Sequence, residues 1–571
     1  MVTFDEEKQK KQLDDYRKHE EEELAKILSQ KYGIEYIDLT ISPVSSDALR
    51  IITEEECRTS HVALFNVANK KVSIAMVAPE NPATQATVSH IQERGYIVLP
   101  FMASTTSLEK VWARYKDLSF SLETTGGALD ISSDEINEVL KNVSNINDIK
   151  KLVQDTLALK KTHRISKILE IILAGALSTK SSDIHLEPEE TFVRLRYRLD
   201  GVLVEIMQFD SETYELLVSR LKLLSGMKIN LRGIAQDGRF SIKLQESEIQ
   251  IRVSVLPGAY SDSFVMRVLN PKSINVALED MGIDPRLFKI LEHEISKPNG
   301  IILTTGPTGS GKTTTLYSFL KRIYTPDIKI ITIENPVEYH LSGIVQTQVD
   351  ARKQDMVSSG GGSDGYTFAE GLRAVLRQDP DVIMVGEIRD NETATTAINA
   401  ALTGHLVFST LHTNNAAGTF PRLLDLGINP KVITSAVNIS MAQRLVRKLC
   451  LECREKKPLT DAEKTMIDAI VAGIKDRTYL EGVSTDSAWN AKGCTACNNT
   501  GYKGRVGIFE AILADENVEK AIMNNPSERE IRKAAEPQNI LSLRQDGVLK
   551  ILKGTTSIDE LRRVVDLESV E

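Results

Sequence analysis

Gly306, Pro307, Thr308, Gly309, Ser310, Gly311, Lys312 and Thr313 follow one another in the order G-x-x-x-x-G-K-T. Three glycines let the backbone turn tightly enough for several N–H groups to converge on one anion. Lys312 adds a point charge for β- and γ-phosphate oxygens, and the Thr313 hydroxyl suits Mg²⁺. The flanks fit the loop. Gly300–Thr305 reads as an apolar strand, and Thr314 continues a helix whose N-terminus offers positive potential to phosphate.

A nucleotide held this way needs carboxylates for its metal and for the attacking water. Two apolar segments end in acids: Ile328–Ile333 runs into Glu334 and then Glu338, and Asp381–Val385 runs through Gly386 into Glu387. Ligands of open parallel sheets collect at the carboxyl ends of strands, so these acids and Lys312 can converge. The second segment is a Walker-B-like pattern with Glu387 in the magnesium role. A third, Leu406–Leu411, is bracketed by His405 and His412, candidates for sensing phosphate or for coupling to a neighbour.

Cys450 and Cys453 form one C-x-x-C unit, Cys494 and Cys497 another, with 40 residues between them. Four thiolates suit tetrahedral Zn²⁺ without an open position for substrate; a redox pair or an iron–sulfur cluster are the alternatives. The gap is long for a zinc ribbon, so a small subdomain must fill it. Cys57 is left over and reads as a buried thiol.

The elements that position these residues come from a chain of 571 residues, long enough for three or four domains. Lys plus Arg number 70 and Asp plus Glu 79, a net charge of −9, which excludes a globally basic protein. There is no run of 18 apolar residues for a membrane span and no apolar core for a signal peptide near the N-terminus. Residues 1–27 read as a charged helical arm and 28–115 as a small α/β domain. Residues 116–155, rich in Ser, Asp and Asn, read as a linker with one weak helix. Residues 156–273 read as a mixed α/β domain: Phe192–Leu199 alternates strictly with one basic face, and Asp200-Gly201 is a hairpin turn. From 284 to 445 strand, glycine loop and helix repeat, as in a parallel sheet covered on both faces. The cysteine subdomain spans 446–510, and 511–571 reads as short charged helices.

In order along the chain stand Ser182-Asp-Ile-His-Leu-Glu-Pro188, Gln236-Asp-Gly-Arg239, the phosphate loop, Glu334-Asn-Pro-Val-Glu338, Arg377-Gln-Asp-Pro-Asp381, Gly386-Glu-Ile-Arg-Asp390, Thr403-Gly-His-Leu406, Thr410-Leu-His-Thr413 and Gly501-Tyr-Lys-Gly-Arg-Val-Gly-Ile-Phe-Glu510. Together they resemble the secretion ATPase superfamily, specifically the type IV pilus assembly (extension) and type II secretion ATPases. The resemblance runs from about Ile165 to Glu510 and more loosely along 28–115. It implies a RecA-like P-loop ATPase domain, a preceding mixed α/β (PAS-like) domain, a small N-terminal α/β docking domain and a tetracysteine zinc subdomain. It also implies an ATP hydrolase using Mg²⁺, with Glu338 activating water, Glu334 in the same acidic box, Glu387 as the atypical Walker B acid and His405 and His412 as the histidine box. Arg252 and Arg267 match arginines presented from one subunit's middle domain to its neighbour's nucleotide. Asn335 stands where the family usually has Asp, and Ser261-Asp-Ser263 replaces a usual Gly-Glu-Lys. The segment Asp350–Tyr366 is longer than usual and is expected to be mobile.

The resemblance further implies a homo-hexamer, cytoplasmic and held at the inner membrane through a platform protein or its adaptor. Retraction ATPases of this superfamily lack the tetracysteine element and the N-terminal domain, which favours pilus extension, with type II secretion as the alternative. Some relatives bind cyclic-di-GMP through arginine–leucine–glycine repeats; residues 1–110 contain none, so no such binding is expected. A nucleic-acid-translocating ATPase fits less well, because the balance is acidic and no aromatic–basic stripe is present. A short linker near Asn270–Leu278 permits the middle domain to move on the catalytic domain.

Overall fold

The computed structural model describes residues 20–568, apart from positions 41, 43, 50, 69–70, 118–122, 125–127, 130–132, 144, 159–160, 232, 245–246, 271–275 and 350–365. The expectations for the first nineteen residues, for the long loop up to 365 and for 271–275 of the hinge lie outside the described residues. Two compact units result, 1–121 and 122–571. Among the described residues no helix is long and apolar enough to cross a membrane.

In the first unit a four-stranded sheet runs in the order Glu35–Tyr36, Ile97–Met102, Lys71–Met76, Val62–Ala68. Its core gathers Leu64, Ile74, Ile91, Leu108 and Trp112. Cys57 is fully buried there with its Sγ 3.1 Å from the Tyr115 hydroxyl, and burial pushes the thiol up to about 11.

The second unit opens with two helices, Ser133–Asn142 and Ile146–Leu157. Residues 116–155 were expected as a linker with one weak helix; the structure differs because the apolar residues recur at helical spacing. Ile136, Val139, Val143, Ile146, Ile149 and Val153 all enter the core of the middle domain. The second helix begins on a capping box between Asn145 and Asp148. It packs so closely on helix Lys161–Ser178 that a Cβ at Gly175 would lie 2.8 Å from Ile149 Cδ1.

A six-stranded sheet follows, fully antiparallel, in the order Gln236–Leu244, Ser247–Pro257, Asp262–Leu269, Asp183–Pro188, Val193–Leu199, Val202–Phe209. Strand Val193–Leu199 alternates as its sequence dictates: Val193, Leu195, Tyr197 and Leu199 are buried, and the arginines between them lie on the other face. The turn after it places Asp200 at φ 48° and Gly201 at φ 88°, the left-handed pair a tight hairpin requires.

The catalytic sheet has seven strands in the order Val345–Gln348, Ile330–Glu334, Val382–Val385, Leu406–Leu411, Gly300–Thr305, Val437–Leu449, Tyr502–Leu513. The first six are mutually parallel and the last antiparallel. Successive residues enter opposite cores: Ile301, Ile331, Ile383 and Val407 on one face, Ile302, Ile330, Met384 and Phe408 on the other. This double burial is why these strands read as unbroken apolar runs. The sheet and its phosphate loop form the expected RecA-like P-loop architecture.

Ile149→Ala tests the helical reading of 146–157. It removes a fully buried side chain and should lower unfolding stability by about 2–4 kcal/mol in a denaturant titration. A linker residue would show almost none of that loss.

Candidate functional site

Strand Gly300–Thr305 delivers the phosphate loop to helix Lys312–Ile323, which starts at Gly311 with φ 93°. Gly306 has φ 146°, and a Cβ there would meet the Gln443 carbonyl at 2.6 Å and Arg444 Nη1 at 2.9 Å. Glycine is therefore needed for both backbone shape and space. The Lys312 ammonium donates to the Gly306 carbonyl at 2.7 Å and the Pro307 carbonyl at 3.2 Å. Burial and the neighbouring Arg444 pull it down to about 8, against the attraction of Glu387. Ser310 Oγ in the phosphate loop is buried with no hydrogen-bond partner among the described residues.

Glu387 leaves the end of strand Val382–Val385 largely buried. Its Oε2 lies 2.7 Å from Arg389 Nε and 3.5 Å from His412 Nε2. Lys312, Glu387 and His412 thus meet at the carboxyl end of the sheet. The Thr313 hydroxyl and the Glu387 carboxylate are hard oxygen donors of the kind Mg²⁺ takes.

Glu334 occupies a different environment. It is fully buried, and its carboxylate accepts hydrogen bonds from Thr332 Oγ1 at 2.5 Å, from Gln346 Nε2 at 3.1 Å and from the Tyr317 hydroxyl. Tyr317 lies on the phosphate-loop helix and also receives a backbone hydrogen bond from Glu338. Glu334 therefore ties that helix to its neighbouring strand, while Glu338 stands one step outward, partly exposed.

Arg252 Nη1 lies 3.4 Å from Glu338 Oε2, and its Nη2 donates to the Val337 carbonyl at 2.9 Å. The two arginines were expected over a neighbour's nucleotide. Within the chain Arg252 reaches the chain's own acidic box, where the polar face of the middle sheet meets the catalytic sheet. Arg267 sits directly opposite Arg252 across the strand pair and bonds Asp183 at 3.2 Å.

His405 lies apart from His412. It precedes strand Leu406–Leu411 at the amino edge of the sheet, where its Nδ1 lies 3.0 Å from the Ala400 carbonyl. His412 follows the strand, seven residues away, a separation of roughly 23 Å along extended chain. Within the chain the strand therefore holds the two histidines at opposite edges of the sheet.

The sequence missed Arg444, Tyr317 and Gln443. Arg444 is buried against the loop, its Nη2 donating to the Asn414 carbonyl at 2.5 Å. Gln443 Oε1 accepts from Thr315 at 2.7 Å. Their strand continues past the end of Gly300–Thr305 and walls the loop, a register no local pattern announces. Tyr317 could have been found, since it lies on the helix five residues after Lys312.

The four cysteines gather as expected. Their Sγ atoms lie within 4.8 Å of one another, with separations of 3.9 Å for Cys450 and Cys494, 3.8 Å for Cys453 and Cys497, and 3.7 Å for Cys494 and Cys497. Tetrahedral bonds of about 2.3 Å to Zn²⁺ require sulfur separations near 3.8 Å, so the set fits zinc. The backbone N–H groups of Cys494 and Gly501 point at Cys497 Sγ, each at 3.2 Å, and would support thiolate charge. Helix Asp461–Ala472 and the ribbon of Glu455–Pro458 with Ser487–Asn490 fill the gap between the pairs.

Two outcomes follow from this geometry. An anion in the loop restores Lys312 to its charged form, so nucleotide binding above pH ~8 should take up a proton, and affinity should fall as pH rises through about 8. Calorimetry in two buffers of different ionisation enthalpy measures that uptake. Cys494→Ser, or prolonged chelation, should remove one zinc per chain by atomic absorption and lower the melting temperature.

The Type II/IV secretion system protein family matches residues 158–563, and the MshEN domain matches residues 32–122. The chain is 36% identical to the type IV pilus assembly ATPase PilB of Myxococcus xanthus over 544 residues, 95% of this chain and 91% of that protein. It is 41% identical to type II secretion system protein E of Aeromonas hydrophila over 438 residues, 76% of this chain and 83% of that protein. The X-ray structure of the Legionella pneumophila ATPase DotB overlaps 69% of this chain and 94% of that one, with 22% identity and a TM-score of 0.49. With its complete phosphate loop and this family match, the chain belongs to the Type II/IV secretion system protein family and is a P-loop ATPase of it.

Proposed function

We propose that this ATPase is the motor of type IV pilus assembly, acting as a homo-hexamer on an inner-membrane platform protein or its adaptor. In this reading the phosphate loop with Lys312 holds the triphosphate, and Thr313 and Glu387 hold Mg²⁺. Glu338 activates water, with Glu334 fixing the helix behind it, and His412 reports on the γ-phosphate through Glu387. Arg252 and Arg267 supply the cations that stabilise charge on the transferring phosphoryl group.

The observation that carries this reading is the Arg252–Glu338 contact. It is an ion pair at 3.4 Å between a middle-domain cation and the acid assigned to water activation, and it supports a coupling in which a change in phosphate charge moves one domain on the other. Pilus assembly is supported by the Myxococcus xanthus relative, which aligns along nearly the whole chain, N-terminal domain included. The higher identity of the Aeromonas hydrophila relative over a shorter span favours a second reading, type II secretion.

Lys312→Ala should abolish ATP binding. Glu338→Gln should keep ATP bound while lowering turnover by about 10²–10⁴-fold, the usual worth of a general base. Single-turnover hydrolysis with purified protein checks both, and parental turnover by the glutamine variant overturns the assignment of Glu338. In the native host, Lys312→Ala should remove surface pili while enzyme secretion continues; the reverse pattern selects type II secretion.

A further inference from the structure

The antiparallel register of the middle sheet lines up one row of charged residues across five strands. Arg239 pairs with Arg252, Arg252 with Arg267, Arg267 with Asp183, and Asp183 with Arg198. Directly opposed residues share a face of the sheet with Cβ atoms about 4.5–5.5 Å apart, so the row holds four guanidinium groups and one carboxylate on one surface. Three of the four cations are engaged. Asp183 serves both Arg198, at 3.1 Å, and Arg267, at 3.2 Å, and Arg252 is held by Glu338 and the Val337 carbonyl. Arg239 is exposed and makes no hydrogen bond or ion pair with any of the described residues.

Like charges placed directly opposite one another destabilise a strand pair. Here the repulsion is felt: burial, and then the charges of Arg267 and Arg239, weaken the hold of Arg252 on its proton, against the pull of Glu338. A free cation set beside another cation, which itself touches the acid box of a phosphate site, is an arrangement that an additional anion completes.

We propose that Arg239 is a third phosphate-contacting cation of the nucleotide site, reading the γ-phosphate beside Arg252. This rests on the ATPase site described under Proposed function. Its position along the row, next to the arginine that meets Glu338, puts it at the end of the nucleotide where water attacks. ATP carries the group it reads and ADP does not. Arg239 would then make closure of the middle domain depend on the third phosphate.

The test uses the full chain with Arg239→Gln and Arg239→Lys, each also in the Glu338→Gln background so that ATP persists. Displacement of a fluorescent nucleotide by magnesium–ATP and by magnesium–ADP gives the two affinities. Arg239→Gln should weaken ATP binding on the order of tenfold, the worth of one charge-assisted hydrogen bond, and leave ADP binding within about twofold. Arg239→Lys should recover most of the loss, with an unchanged melting temperature in both variants. Equal weakening of ATP and ADP, or no weakening of either, overturns the proposal. If Lys312→Ala still loses nucleotide while Arg239→Gln changes nothing, only the role of Arg239 fails. If Lys312→Ala binds ATP as the parent does, the reading of the site itself fails.

Discussion

A guanidinium from one sheet laid on a carboxylate from another is the contact around which this molecule is arranged. Arg252 projects from the polar face of an antiparallel sheet and Glu338 from a loop of a parallel one, and they meet at 3.4 Å. Each sheet is stabilised by its own core, so the contact adds little to folding. Its value lies in being weak enough to exchange. In the proposed mechanism, a triphosphate entering the loop competes for the same arginine with more charge than a single carboxylate offers. On that reading the domains trade a protein–protein ion pair for a protein–phosphate one.

The pocket side is prepared for that exchange by an excess of buried positive charge. Lys312 and Arg444 are both desolvated beside the loop, and each is parked on backbone carbonyls. Carbonyl dipoles are modest partners for full charges. A phosphate that displaces them gains interaction energy in a partly dry site, where water screens little. Burial first, and then the charge of Arg444, explain why Lys312 holds its proton less firmly than an ordinary lysine.

The cysteine subdomain also touches the middle domain of the same protomer. Asp200, in the hairpin of the middle sheet, accepts a hydrogen bond from the Gly504 backbone at 2.8 Å, and Asn498 accepts one from Ile146 at the helix start. Asn498 directly follows Cys497 of the tetracysteine cluster. A metal that fixes the knuckles therefore also fixes two points at which the middle domain rests, at a distance in sequence of some three hundred residues.

The phosphate loop, the acids at strand ends and the paired cysteines were legible in the sequence because each is a local pattern. Eight contiguous residues define the loop, and two C-x-x-C units define the knuckles. Helix Ile146–Leu157 was also written locally, in the spacing of Ile146, Ile149 and Val153, but its polar composition masked the periodicity. The destination of Arg252, the separation of His405 from His412 and the wall made by Gln443 and Arg444 were decided by the tertiary structure. Strand register, the packing of one sheet on another and the end of a strand that meets the ligand depend on contacts between residues tens to hundreds apart. Local spacing carries no information about those partners.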